Sequence, residues 1–477
     1  MKETKISSAV LAPFPSGRKQ AVDQTLAREA AANQRKIVVL DDDPTGVQTV
    51  HDINVYTDWS VESIRQGFAE TNRLFFILTN SRGFTEAETT KAHKEIAANI
   101  DQVSKETGID YLVISRSDST LRGHYPLETE LLRRGYEERN PVRVDGEILC
   151  PYFREGGRFT LGNVHYVRYG AELVPAGQTE FARDETFGYT SSNLGEYIEE
   201  KTGGAYRKGD VTYISLDELR SCDYDGIEKK IEAVHDFRKI VVNATDDYDV
   251  KVFAIALYRA MAKGRHYICR CAAALVKAIG NISDRPLLTR KEMVTLRNGN
   301  GGIIVVGSHT KKTTAQLEEL KKVPGIRFIE MNSDLVLVPG ALEEETRRIV
   351  AEEEKQIAEG VTVCVSTKRA LLKVADDTPE AALIRSVAIS DAVQKCVGLL
   401  QVTPAFVIAK GGITSSDVGT KALRVRRARV LGQIEPGVPV WQTGEESTFP
   451  GTPYVIFPGN VGEVNTLRDA VEVLLKS

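Results

Sequence analysis

Nowhere in the 477 residues do apolar side chains run on for the ~20 positions that a membrane-spanning helix requires. The stretch Met1 to Lys36 is mixed polar and charged, and it holds no apolar segment of secretory length. An excess of either charge is also missing. Lys+Arg 62 against Asp+Glu 66 leaves a net charge of −4, so no basic field points to nucleic acid or to an anionic membrane surface. Cysteine is scarce and dispersed. Only Cys269 and Cys271 stand close together, as C-x-C, with no histidine or second pair to complete a zinc set; Cys150, Cys222, Cys364 and Cys396 are isolated. Reduced, mostly buried thiols are the expectation, and with them a soluble, cytoplasmic protein. Two nucleotide signatures are absent as well. Gly299 and Gly301 have the first spacing of G-x-G-x-x-G, but Ile304 stands at the third glycine. Gly302-x-x-x-x-Gly307 is followed by Ser308, where a Walker loop demands lysine.

What is present is the composition of a globular protein, 42% hydrophobic and 27% charged, long enough for about two or three domains. Apolar, β-branched runs at Ile37–Leu40, Leu74–Leu78, Tyr111–Ser115, Ile148–Cys150, Thr212–Ile214 and Ile240–Val242 read as strands. So do Ile303–Val306, Arg327–Glu330, Val361–Val365, Ala405–Ile408 and Tyr454–Phe457. Amphipathic segments between them (Thr85–Lys105, Val250–Met261, Leu342–Glu359, Pro379–Leu400, Val464–Leu475) read as helices. Continuous apolar strands alternating with helices predict an α/β fold with mostly parallel sheets. Thr85-x-x-Glu88 and Thr313-x-x-Gln316 have the form of capping boxes. The turn-rich run ending Asp284–Gly302 marks a boundary. It divides the chain into an N-terminal arm (1–35, with a short helix near Ala21–Asn33), a first domain (36–290) and a second (291–477).

Polar loops follow several strands. Asp41-Asp42-Asp43-Pro44-Thr45-Gly46 puts three carboxylates at a strand's C-terminal end, where open α/β sheets bind ligands. Carboxylates there accept hydrogen bonds from hydroxyls, hold a divalent cation or take a proton; the plainer alternative is a solvated turn. Ser115-Arg116-Ser117-Asp118-Ser119-Thr120-Leu121-Arg122-Gly123-His124 suits a small anionic polyol, with guanidinium for a carboxylate and Asp and Ser for hydroxyls. Its alternative is a helix cap with surface arginines. Thr79-Asn80-Ser81-Arg82-Gly83 repeats the theme. In the second half, Gly411-Gly412-Ile413-Thr414, Gly307-Ser308-His309 and Pro458-Gly459-Asn460-Val461-Gly462 are glycine loops after strands. Backbone amides can approach phosphate oxygens there. No histidine has a Ser or Cys partner at sequence level, so a hydrolase triad has no support.

Asp42-Asp43-Pro44-Thr45-Gly46, Ser117 to Gly123, Gly307-Ser308, Gly411-Gly412-x-Thr414 and Gly459-Asn460-Val461-Gly462, in this order, resemble the four-carbon acid sugar kinase family. That family includes D-threonate and 3-oxo-tetronate kinases. The resemblance spans about residues 36–475, and Thr179 to Asp184 fits its middle region. It implies an acid-sugar-binding domain, an ATP-binding domain and phosphoryl transfer in an active-site cleft between them, with Mg²⁺ as the accompanying cation. It further implies that Asp42, Asp43, Arg82, Arg116, Ser117, Asp118, Ser119 and Arg122 bind the sugar acid, with Asp43 and Asp118 the candidates for proton transfer. Ser308, Gly411, Gly412, Ile413, Thr414, Gly459, Asn460, Val461 and Gly462 would bind ATP. Many members have a lysine where Arg116 or Ser117 stands, and a Lys-Ser-Gly run where this chain has Phe457-Pro458-Gly459. The expectation is an ATP-dependent kinase of the terminal hydroxyl of a sugar acid such as threonate, erythronate or 3-oxo-tetronate. The alternative is a non-catalytic protein that senses a sugar acid and a nucleotide. Metal ligands are not assigned, and a homodimer is left open.

Overall fold

The structure is a computed structural model that describes residues 3–296, 298–370, 372, 374, 378–459 and 461–475. Its contacts divide the chain into two units, Met1–Gly46 with Asp58–Asp284, and Val47–Thr57 with Arg285–Ser477. Residues 47–57, counted within the first domain by the sequence reading, thus belong to the second unit. So do the residues just after 284. Leu288 and Met293 are buried in the second core, and the Leu288 amide donates to the Gln433 carbonyl at 2.7 Å.

The first unit is built on a parallel sheet. Its strands run in the order Thr212–Ile214, Arg238–Val242, Gly146–Cys150, Tyr267–Cys271, Tyr111–Arg116, Lys36–Asp41, Leu74–Leu78. The central strands are buried along their whole length, which is why they read as continuous apolar runs rather than alternating ones. Thr85 opens the helix Glu86–Thr107 with the expected capping box, and Gly108 ends it in the left-handed conformation at φ 68°. Ile96, Ile100 and Val103 recur at helical spacing and face the core.

A second, antiparallel sheet orders Ile6–Ser7, Glu172–Pro175, Val164–Tyr169 and Arg158–Leu161. The first 35 residues are therefore no loose arm. They supply an edge strand to this sheet, and the helix Lys19–Ala32 packs on the helix Asp247–Ala262. Phe14 stacks on Tyr248 with ring centroids 5.4 Å apart, and Asp23 accepts from both Tyr248 and Lys251 at 2.7 Å. Burying Phe14, Val22 and Leu26 contributes about 2 kcal/mol each.

The second unit's sheet runs Ile53–Tyr56, Arg427–Glu435, Val438–Thr443, Pro453–Phe457, Val407–Lys410, Ile303–Val306, Thr362–Thr367, Ile326–Met331. The first three pairings are antiparallel and the rest parallel. One sequence expectation is corrected here. The helix Lys311–Leu320 begins earlier than a Thr313–Gln316 capping box would allow, because Thr310 caps it by accepting from the Thr313 amide. Gln316 is drawn away to the carbonyls of Val461 and Glu463, at 3.2 and 2.8 Å.

On the helix Ala341–Ala358, Glu353 is fully buried and neither carboxylate oxygen has a partner. Burial, then the nearby Glu354 and Glu352, pushes its carboxyl well above the usual range. A carboxyl raised in the folded state stabilises least at high pH, since folding must hold its proton as pH climbs past the unfolded value. Glu353→Met is expected to raise the unfolding free energy by about 1–3 kcal/mol at pH 8. The gain should shrink towards pH 5, as chemical denaturation at both pH values would show; equal stability of the two proteins at pH 8 would refute it.

Candidate functional site

In the first unit the chain passes from the strand Lys36–Asp41 to its neighbour Leu74–Leu78 on one side, then crosses to Tyr111–Arg116 on the other. This is a topological switch point, where loops leaving the strand ends diverge and open a crevice. Asp41 to Gly46 and Ser117 to His124 both lie there, with Arg82 delivered from the adjacent strand end.

Four arginines interlock with carboxylates in this crevice. Arg82 donates to Asp42 through Nη2 at 2.7 Å and Nε at 3.2 Å, and to Asp43 at 3.3 Å. Arg116 Nη1 spans Asp41 at 2.9 Å and Asp42 at 3.2 Å. Arg122 donates to Asp118 at 2.7 Å and approaches Asp184 at 3.7 Å. Arg270 donates to Glu128 at 2.9 Å and to the Arg122 carbonyl at 3.4 Å. Side-chain exposure separates these arginines into two layers: 22% for Arg82 and 26% for Arg122, against 8% for Arg116 and 3% for Arg270. The carboxylates divide likewise, Asp41 and Asp42 being buried and Asp43 and Asp118 partly exposed.

The electrostatics follow this layering. Burial pushes the Asp41 carboxyl up to about 7 against the pull of Arg116, and it raises Asp42 as well. At Asp43 burial is outweighed by Arg82 and by Thr45, whose amide and hydroxyl donate to it at 2.8 and 2.5 Å, so its carboxyl lies below the usual range. At Asp118 burial is outweighed by Arg82 and Arg122, with the Thr120 hydroxyl also donating, and the carboxyl stays ionised. The fold accommodates the cluster by close approach. A Cβ on Gly46 would stand 2.0 Å from an Asp41 oxygen, and one on Gly123, at φ 117°, would stand 3.1 Å from Arg270 Nη2.

Of the residues expected to bind a sugar acid, the structure brings Asp42, Asp43, Arg82, Arg116, Asp118 and Arg122 into this linked set. Ser117 is buried, its amide donating to the Cys271 carbonyl at 3.0 Å, and the Ser119 carbonyl accepts from His165 at 2.8 Å. Glu128 and Arg270 were not singled out. A buried arginine inside the strand Tyr267–Cys271 breaks the apolar run by which a strand is recognised, and Glu128 lies on an ordinary amphipathic helix, Leu127–Glu137.

The second unit has its own switch point between Ile303–Val306 and Val407–Lys410. The loops at Gly307-Ser308 and Gly411 to Thr414, with Pro458-Gly459 from the next strand, meet there without room for side chains. A Cβ on Gly307 would lie 2.3 Å from Thr414 Oγ1, and one on Gly411, at φ 122°, 3.1 Å from Ser308 Cβ. Thr313 joins Ser308 Oγ at 3.1 Å to the Gly459 carbonyl at 3.4 Å. Lys312 donates to the Gly462 carbonyl at 3.2 Å, and Val461 is held by Gln316. Ile413 projects into solvent, 73% exposed. Asn460 lies outside the described residues. Lys410 was also missed by the sequence reading. It is fully buried over the Phe457 ring, donates to the carbonyls of Pro458 at 2.6 Å and Gly459 at 3.3 Å, and has no carboxylate partner among the described residues. Backbone amides, hydroxyls and glycines crowded at strand ends form a donor set that suits phosphate. Among the described residues no group of three or more His, Cys, Asp or Glu is placed to hold a metal ion, and no helix is long and apolar enough to cross a membrane. The cysteines are free thiols, all buried but Cys222.

Two family models match the chain. Residues 37–279 match a sugar-binding N-terminal domain and residues 303–467 a nucleotide-binding C-terminal domain. No curated protein matches it in sequence. Among solved structures, a Haemophilus influenzae protein of the DUF1537 family is similar at TM-score 0.59 and 16% identity, covering 92% of this chain and 100% of its own. A Salmonella typhimurium LT2 protein described as a tRNA synthase is similar at TM-score 0.65 and 16% identity, covering 91% and 98%. At that identity the likeness is one of fold. Sheets ending in a carboxylate–arginine crevice in one unit and in glycine loops in the other agree with the two models, and the chain belongs to the family that joins a sugar-binding N-terminal domain to a nucleotide-binding C-terminal domain, the architecture of the four-carbon acid sugar kinases.

Proposed function

We propose that the protein is an ATP- and Mg²⁺-dependent kinase that phosphorylates the terminal hydroxyl of a four-carbon, or similar, sugar acid such as threonate, erythronate or 3-oxo-tetronate. The observation that carries this reading is the layered crevice. Its partly exposed members, Arg82, Arg122, Asp43 and Asp118, are the groups a small polyhydroxy acid needs, and its buried members, Arg116, Arg270, Asp41, Asp42 and Glu128, hold them in place.

In this reading Asp118 accepts a substrate hydroxyl while Arg82 and Ser119 fix the chain of the sugar. Asp43, turned outward by Thr45 and Arg82, takes the proton of the hydroxyl that reacts. The substrate oxygen forms a bond to the γ-phosphorus, the bridging P–O bond to ADP breaks, and the proton passes to the carboxylate. Ser308, Gly411 to Thr414 and the Gly459–Gly462 loop hold the nucleotide through amides and hydroxyls. Mg²⁺ bound to ATP would supply the neutralisation of phosphate charge, and the protein's share of catalysis is positioning and preorganised charge.

An ADP-release screen over four-carbon and branched aldonates, run beside thermal unfolding with ATP–Mg²⁺, tests this. At least one aldonate should release ADP, and ATP–Mg²⁺ at 100 times its Kd should stabilise the protein by about 2.7 kcal/mol. Stabilisation by both ligands with no ADP released from any aldonate would instead mark a non-catalytic sensor.

A further inference from the structure

We propose that Arg158 is the specificity residue that recognises the substrate's carboxylate; the inference rests on the sugar-acid reading above. Arg158 opens the strand Arg158–Leu161 of the antiparallel sheet, and that strand is tied to the substrate loop. Thr160 Oγ1 lies 3.0 Å from His165 Nδ1, and His165 Nε2 lies 2.8 Å from the Ser119 carbonyl. Burial holds the His165 ring down to about 4, so at neutral pH it is uncharged, donating from Nε2 and accepting at Nδ1. The relay fixes where the Arg158 backbone stands relative to Asp118 and Arg122.

The Arg158 guanidinium lies 5.4 Å from the Phe181 ring centroid, and that of Arg122 lies 5.1 Å from the same ring. Their charges are treated differently. Arg82, Arg116, Arg122 and Arg270 each have a carboxylate within 4 Å, whereas among the described residues Arg158 has none. Its head reaches the Gly156 carbonyl, and its buried Nε has no partner. The nearest acids are committed elsewhere, Asp118 to Arg122 and Thr120, and Glu180 to the Tyr169 hydroxyl at 2.6 Å. Burial disfavours the Arg158 charge and lowers its pKa even though Asp118 pulls the other way at longer range. A small carboxylate arriving there restores the balance by pairing with the Nη group that the Gly156 carbonyl leaves free. Recruiting Arg82 or Arg122 alone would instead require breaking an ion pair already made.

Calorimetric titration of the full-length protein with D- and L-threonate, D- and L-erythronate and the matched alditols, threitol and erythritol, tests the assignment. Arg158→Gln should weaken binding of the acids at least about 30-fold and leave the alditols within about threefold, so the preference for acid over alditol collapses. Arg158→Lys should recover part of that preference, and Arg168→Gln, an exposed neighbour on the same sheet, should keep all of it. Retention of the wild-type preference by a folded Arg158→Gln, or the absence of any preference in the wild type, overturns the inference. ADP release is followed in parallel. If the wild type turns over no member of the panel, the kinase reading fails while the binding comparison still decides the role of Arg158.

Discussion

Replacing Arg82 by alanine is expected to lower kcat/KM for the sugar acid by about 100- to 1,000-fold, the equivalent of about 3–4 kcal/mol. Arg82 is the member of the crevice that works in both layers. It is exposed enough to meet a ligand, yet it neutralises the buried Asp42 and orients the outward Asp43. Its loss leaves Asp42 with Arg116 alone. Burial already raises the Asp42 carboxyl, so losing one of its two cations drives it further towards protonation. Asp43 loses the cation that holds it below the usual range. The effect should therefore fall on kcat as well as KM, because proton acceptor and substrate anchor are disturbed together. Arg82→Lys keeps the charge without the fork that spans two carboxylates, and it should recover less than a tenth of the activity. Steady-state kinetics within threefold of wild type for a folded Arg82→Ala protein would remove Arg82 from the site.

The second large effect is expected in the other unit. Lys410→Met should weaken ATP by about 10- to 100-fold while leaving sugar-acid binding unchanged. Lys410 Nζ satisfies the carbonyls of Pro458 and Gly459 from below, and an apolar side chain of similar length leaves both unpaired in a buried place, at about 1–3 kcal/mol. The cost falls on the loop proposed to hold the nucleotide. A pH dependence accompanies it. Burial, with Lys312 nearby, lowers the Lys410 ammonium to about 7 from the ordinary 10.5. Between those values the unfolded chain binds the extra proton, so wild-type stability rises with pH across that interval. The methionine variant lacks this rise. Denaturation at pH 6.5 and pH 9 should show the gap between the two proteins widening in favour of wild type; a constant gap with unchanged ATP affinity would show that Lys410 neither titrates there nor supports the loop.

The parallel core was open to sequence reading because burial on both faces leaves no polar alternation to interpret. Leu74–Leu78 and Ile303–Val306 have the bounds expected of them, and Val393, Val397 and Leu400 are buried as their spacing requires. The antiparallel strands were harder. Arg427–Glu435 carries irregular pairing around Gly432 and polar residues on its exposed side, and Arg158–Leu161 is short. The site was legible where polar residues crowd the ends of apolar strands, hence Asp42, Asp43 and the Ser117–Arg122 run. It was illegible where a charge is buried inside an element, as with Arg270 and Lys410, whose roles depend on partners far away in sequence. Capping boxes show the same limit. The pattern at Thr85 is local and forms, whereas Gln316 is claimed by a loop some 145 residues on.

The excursion of residues 47–57 bears on how the polypeptide is made. Immediately after the aspartates, the chain supplies Ile53–Tyr56 as the edge partner of Arg427–Glu435 and then returns to complete the first unit. During synthesis that short strand must wait for a partner made some 370 residues later, a loop closure of high sequence separation. A fragment starting at Arg285 would carry an open edge along Arg427–Glu435, the kind of unpaired strand that recruits other chains. Cutting the gene at Arg285 would thus divide the sequence without dividing the fold.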